Sequence, residues 1–297
     1  MSLTPSALAR ETDDDARARR RARLCVLGAA VLWSTAGAAI KVAVGLNTWQ
    51  VAGGRGLVAA LVVAAFLPSA RRGLSRMAVA VGVVYALTTV LFVIANRMTT
   101  AANAIFLQDV APLWVLLLSP LLLRESPTRT ELRLVPLYLG GAALFFVDEL
   151  GPGGAAGNAV AVASGVAFAL LFIGLRKLRD GGAESAILAG NLIAFAICLP
   201  GAVGGPVPGL RDLVVLGWLG AFQLGLAYIL MVRGLKHLSA VEASLLALVE
   251  PVLNPVWAFI FAGERPGPFA MAGGAVILAA TCARIFVGER RPGRSAA

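Results

Sequence analysis

A single histidine, three cysteines and a charged fraction of only 14% leave this chain of 297 residues little material for chemistry in water. His237 stands beside Arg233 and Lys236 at the end of an apolar stretch, where it reads as a solvated interfacial residue rather than a catalyst. Without a second histidine there is no His-rich metal spacing and no Ser/His pairing, and no Gly-rich loop ends in a phosphate-binding Lys. No enzymatic activity, cofactor or metal is expected. Cys25, Cys198 and Cys282 all fall in apolar runs without metal-type spacing, so they read as small packing residues with no disulfide framework.

What is present is hydrophobic. Apolar residues make up 59% and mean hydropathy is +0.83, against about 45–50% apolar in soluble domains. The net charge of +10 does not point to nucleic acid, because the basic residues form short clusters between long apolar runs, where membrane orientation is set. Ten runs approach the ~20 residues that a bilayer core requires: residues 24–44, 49–67, 74–95, 101–123, 132–148, 157–175, 184–203, 211–231, 240–262 and 267–287. Residues 1–23 and 288–297 read as mobile cytoplasmic tails, and the first run lacks the exit of a cleaved signal.

The chain appears twice over. Ala104–Pro127 (AIFLQDVAPLWVLLLSPLLLRESP) is rewritten as Ala243–Pro266 (ASLLALVEPVLNPVWAFIFAGERP), with Ala104/Ala243, Leu107/Leu246, Val110/Val249, Pro112/Pro251, Glu125/Glu264 and Pro127/Pro266 in register. Thr100-Ala101 and Ser239-Ala240 precede the two copies. This divides the spans into repeats over 24–150 and 157–287. If the N-terminus is cytoplasmic, 21 of the 26 Lys and Arg fall on the inner side, leaving Lys41, Arg55, Arg97, Arg211 and Arg265. The bias places both termini inside. Five spans per repeat is odd, so the second repeat enters from the opposite face and the two are inverted. The expected fold is an all-α integral membrane protein of ten helices in a five-plus-five inverted repeat around a central cavity.

The doubled Pro-containing helix, closed by Arg124-Glu125 or Gly263-Glu264 and followed by Gly140-Gly141 or Gly273-Gly274, resembles the EamA-type transporters of the drug/metabolite transporter superfamily. The resemblance covers nearly the whole chain after the tail, and within the superfamily the chain is similar to bacterial amino-acid exporters of the YddG type. It implies that helices 1–4 and 6–9 surround the cavity while 5 and 10 lie outside. It also implies efflux of amino acids or similar metabolites across a bacterial inner membrane. The implied partners are that small-molecule substrate and membrane lipid.

Polar groups deep in an apolar run mark the candidate site. Asp109 and Glu250 lie near Pro112 and Pro251, where a proline leaves a carbonyl without its helical donor. Each is either a proton-coupling acid or partner of a substrate ammonium, or else a group in a wet vestibule or paired with Arg55 or Lys41. They are not equivalent in the repeat, since Asp109 aligns with Leu248. Glu250, Asn254 and Trp257 share a helical face, as do Tyr85, Thr88, Phe92 and Asn96. Trp33, Ser34, Gln108, Trp114, Asn191, Gln223 and Tyr228 are further lining candidates, each also readable as an interfacial or interhelical residue. Glu242 reads as one half of a capping box with Ser239, and Glu125 and Glu264 as devices for satisfying helix-end amides or a neighbouring Arg. Together these features predict a secondary transporter exporting amino acids, apolar and aromatic ones among them, by alternating access. Export of other metabolites or cationic drugs is an alternative, and a membrane enzyme acting on lipid-linked substrates is a more distant one.

Overall fold

Broken helices set the architecture. A computed structural model describes residues 5–99, 101–147, 154–262 and 267–287, and among them every regular element is helical. The elements are α1 (Pro5–Trp33), α2 (Ala36–Val42), α3 (Thr48–Phe66), α4 (Arg76–Met98), α5 (Ala101–Gln108), α6 (Ala111–Leu122) and α7 (Arg129–Val147), followed by α8 (Ala155–Lys177) and α9 (Ala183–Ala202). Then come α10 (Leu210–Trp218), a π-helical segment (Leu219–Leu226), α11 (Ala227–Leu235), α12 (Ala240–Ala247), α13 (Val249–Ala262) and α14 (Pro268–Val287). Among the described residues seven helical stretches are long and apolar enough to cross a membrane. The other three expected spans fall on α7, on α12 with α13, and on α14. Glu264 and Arg265 lie outside the described residues, as does Thr100.

Local sequence explains most boundaries. Asn47 and Gln50 form a reciprocal capping box at the start of α3, Ser75 caps α4 through the amide of Ala78, and Thr128 with Glu131 closes the start of α7 in the same reciprocal way. Helix α1 begins earlier than expected, since the supposed tail from Pro5 onward is helical. Its sequence offers a reason: Asp13/Arg17 and Asp15/Arg19 are acid-before-base pairs four residues apart.

The α5/α6 interruption falls at Asp109–Val110 and the α12/α13 interruption at Leu248, the residue that aligns with Asp109. In both copies the break precedes the shared proline, Pro112 or Pro251, whose nitrogen cannot donate to the preceding turn. Between α1 and α2 the cause is different. There Ser34 Oγ donates to Val31 O (2.6 Å) and Thr35 Oγ1 to Leu32 O (2.8 Å), so two hydroxyls compete for carbonyls at the end of the helix.

The helices pack across the halves. α3 lies on α9, α4 on α8 and α9, α1 on α11 and α12, and α6 on α12, while α7 and α14 pack chiefly on each other. Small residues permit the closest crossings. A Cβ on Gly190 would meet Tyr85 Cβ at 2.7 Å, and one on Gly220 would collide with Val58 and lie 2.7 Å from Arg55 O. Outward-facing Leu61, Phe66, Leu117 and Leu121 are 61–77% exposed, an apolar surface suited to lipid and not to water.

Candidate functional site

A small buried cavity lies where the interrupted elements converge. Trp33 comes from the end of α1, Arg55 from α3, Thr88, Thr89 and Phe92 from α4, and Gln108 from the end of α5. Phe168 comes from α8, Gln223 and Leu224 from the π-helical segment, Tyr228 from α11 and Glu250 from α13. Its free volume is about 30 Å³, roughly the space of one water molecule and far below the ~300 Å³ of an ordinary ligand pocket. The space as it stands is therefore too small for a solute. A larger apolar cleft of about 250 Å³ opens between α3, α9 and α10, lined by residues such as Leu46, Leu199 and Leu216. It contains no charged residue, so convergent chemistry belongs to the smaller space.

Aromatic rings form one wall. Trp33 meets Phe168 edge-on at 5.5 Å and Tyr228 at 5.0 Å, and Tyr228 meets Tyr85 at 4.6 Å. Such pairs contribute about 0.5–1.5 kcal/mol beyond their buried area. Polar groups form the remainder. Arg55 Nη1 donates to Gln223 Oε1 (3.3 Å) and Nη2 to Thr89 O (2.5 Å). Gln108 Nε2 donates to Ser164 Oγ (2.7 Å), which donates to Thr88 O (3.1 Å). The π-helical turn sets Gln223 opposite Arg55, and insertions of this kind often accompany functional sites.

The structure gathers seven of the expected residues at the cavity: Trp33, Thr88, Phe92, Gln108, Gln223, Tyr228 and Glu250. Others stand behind it. Tyr85 Oη donates to Asn191 Oδ1 (3.2 Å), which places Asn191 beneath the aromatic wall. Trp257 Nε1 donates to Ser34 Oγ (2.8 Å), tying α13 to the α1/α2 break. Trp114 is partly buried against the hydrophobic core and does not line the cavity. Asp109 sits at the α5/α6 break, next to Gln108 in the chain but outside the lining. The side chain of Asn254 lies outside the described residues. Asn96, expected to extend the α4 stripe, is buried with neither side-chain atom hydrogen-bonded.

Two expectations change. Arg55 is not the partner of either acid, because its contacts are an amide and a backbone carbonyl, and Lys41 is exposed at the end of α2. Glu242 does not reach back to the amide of its own helix start. Ser239 Oγ accepts from Glu242 N (3.0 Å), but the Glu242 carboxylate faces Arg23 at 2.9 Å and Arg19 at 3.8 Å. Glu125 likewise bridges to Arg176 and Arg179 on and just after α8. Arg55 was detectable as a lone cation inside an apolar run, whereas Phe168 and Leu224 are apolar residues in apolar runs and the Thr89 hydroxyl donates to Tyr85 O and Ala86 O of its own helix.

Comparison with known proteins decides the family. A model of the EamA-like transporter family matches residues 20–147 and again residues 155–285. The chain belongs to the EamA-like transporter family. This EamA-like transporter is similar to an uncharacterized transporter of Archaeoglobus fulgidus, 29% identical over 206 residues covering 65% of this chain and 70% of the relative. A solved crystal structure aligns with a TM-score of 0.72 over 91% of this chain and 98% of its own, at 17% identity, a likeness of fold. Family membership and the apolar helices make it a multi-pass membrane transporter for a small molecule.

Proposed function

We propose that this EamA-like transporter exports amino acids, apolar and aromatic ones among them, across a bacterial inner membrane by alternating exposure of the cavity. The observation that carries this reading is a buried acid, Glu250, sharing one small space with the ring wall of Trp33, Phe168 and Tyr228. A carboxylate suits an ammonium group, and the rings suit an apolar side chain. A space of one water's volume must open before a solute enters, so transport requires the halves to move.

The proposed frame is ten spans in two inverted repeats, with both termini cytoplasmic. The matched breaks at Asp109 and Leu248 support it, as does the packing of α6 against α12, the first part of the equivalent helix pair. The peripheral pairing of α7 with α14 is what such a frame predicts for helices five and ten. Cationic drugs are the second reading, favoured by the same acid and rings. Proteoliposomes loaded with labelled amino acids test the proposal, with cationic drugs as competitors. Absence of any amino-acid flux removes it.

A further inference from the structure

The guanidinium of Arg55 is 1% exposed and has only neutral partners, Gln223 Oε1 and Thr89 O. Its Nε is buried without a hydrogen-bond partner, and among the described residues no carboxylate lies within ion-pair distance of it. A cation withdrawn from water and left uncompensated is costly, so its retention inside an apolar run calls for an anion that arrives from elsewhere. The planar fork of arginine, with Nε still free, suits a carboxylate bound through two parallel bonds.

An acidic pole stands in the same space. Glu250 lines the cavity, and Asp109, next in the chain to Gln108 of the lining, has its Oδ2 buried with no hydrogen-bond partner. Tyr228 lines the same cavity as Arg55 and Glu250 and packs on Trp33 and Tyr85. The two poles therefore share one cavity with the aromatic wall. A phosphate would meet the acids, and a simple cation would leave Arg55 unmatched. A zwitterion answers both.

We propose that Arg55 recognises the carboxylate and Glu250 the ammonium of the transported solute, so that the cavity selects zwitterionic α-amino acids over amines that lack a carboxylate. The assignment rests on the amino-acid reading above and sharpens it into residue roles.

Titration calorimetry of the purified full-length protein with L-phenylalanine, L-phenylalaninamide, phenethylamine and 3-phenylpropionate tests it. Phenylalanine is expected to bind the unmodified protein at least tenfold more tightly than each of the other three. Arg55→Gln is expected to weaken phenylalanine tenfold or more while leaving phenylalaninamide unchanged, and Glu250→Gln to weaken phenylalanine and phenethylamine but not 3-phenylpropionate. The ligand series on the unmodified protein stands even if Arg55→Gln fails to fold. Equal affinity for phenylalanine and phenylalaninamide overturns the role of Arg55, as does an Arg55→Gln variant that weakens both alike. Labelled phenylalanine flux alongside either result shows that only the residue assignment has failed. Flux of phenethylamine without flux of any amino acid, or no binding of any of the four, defeats the amino-acid reading and the assignment together.

Discussion

Arg23 Nε donates to Glu242 Oε1 at 2.9 Å with the two side chains only 5% and 1% exposed, joining residues 219 positions apart at one end of the bundle. Nearby, Ser239 Oγ donates to Glu131 Oε1 (2.6 Å), and Arg176 Nη1 donates to Leu235 O (2.7 Å) while its Nε donates to Glu125 Oε1 (2.9 Å). The described contacts toward the opposite end include uncharged ones, such as Thr99 Oγ1 to Asn158 Oδ1 (2.9 Å). The end carrying the starts of α7 and α12 is thus fastened by buried charge.

Removing one member of a buried pair costs more than replacing both. Glu242→Gln is expected to destabilise the protein by about 3 kcal/mol, and Arg23→Met combined with Glu242→Leu to recover most of that loss. Thermal denaturation in detergent reads both. A Glu242→Gln variant as stable as the parent would show that the pair contributes nothing.

The α4/α9 crossing depends on the absence of a side chain at Gly190. Gly190→Val would force apart Tyr85 and the backbone around Gly82, at a cost of about 1–3 kcal/mol. The same shift would pull Tyr85 from Asn191 and Tyr228. Gly140→Ala, where nothing lies within 4 Å of the added carbon, is the control and should leave the melting temperature unchanged or raise it, since alanine favours a helix interior over glycine.

Proton coupling through the central acids predicts that Asp109→Asn and Glu250→Gln each flatten the dependence of flux on a pH gradient, with Glu250→Gln also raising the amino-acid concentration needed for half-maximal flux. Flux from proteoliposomes at a series of imposed gradients measures this. If both variants keep the parental dependence, neither acid carries the coupled proton.

The inverted frame requires both termini on one face. With Cys25, Cys198 and Cys282 replaced, single cysteines at Ser2 and Ala296 should resist an impermeant maleimide in intact cells and react once the membrane is opened. Labelling of one terminus alone in intact cells would break the antisymmetric arrangement.

Sequence alone determined the membrane class, the duplicated helix and the place where that helix breaks. Hydropathy and proline act locally: an apolar run or a missing amide donor has the same consequence wherever the chain later folds. It also marked most of the polar wall, because groups such as Gln108, Gln223 and Glu250 are conspicuous in apolar surroundings. Only the tertiary structure decided which of them meet. Whether a residue faces the cavity depends on the rotation of its helix, and that is set by distant packing, such as Gly190 on Tyr85 and Gly220 on Val58. For that reason Asn191 became a support beneath Tyr85, Trp257 a tie to Ser34, and Arg55 a cation facing neutral groups instead of an acid's partner.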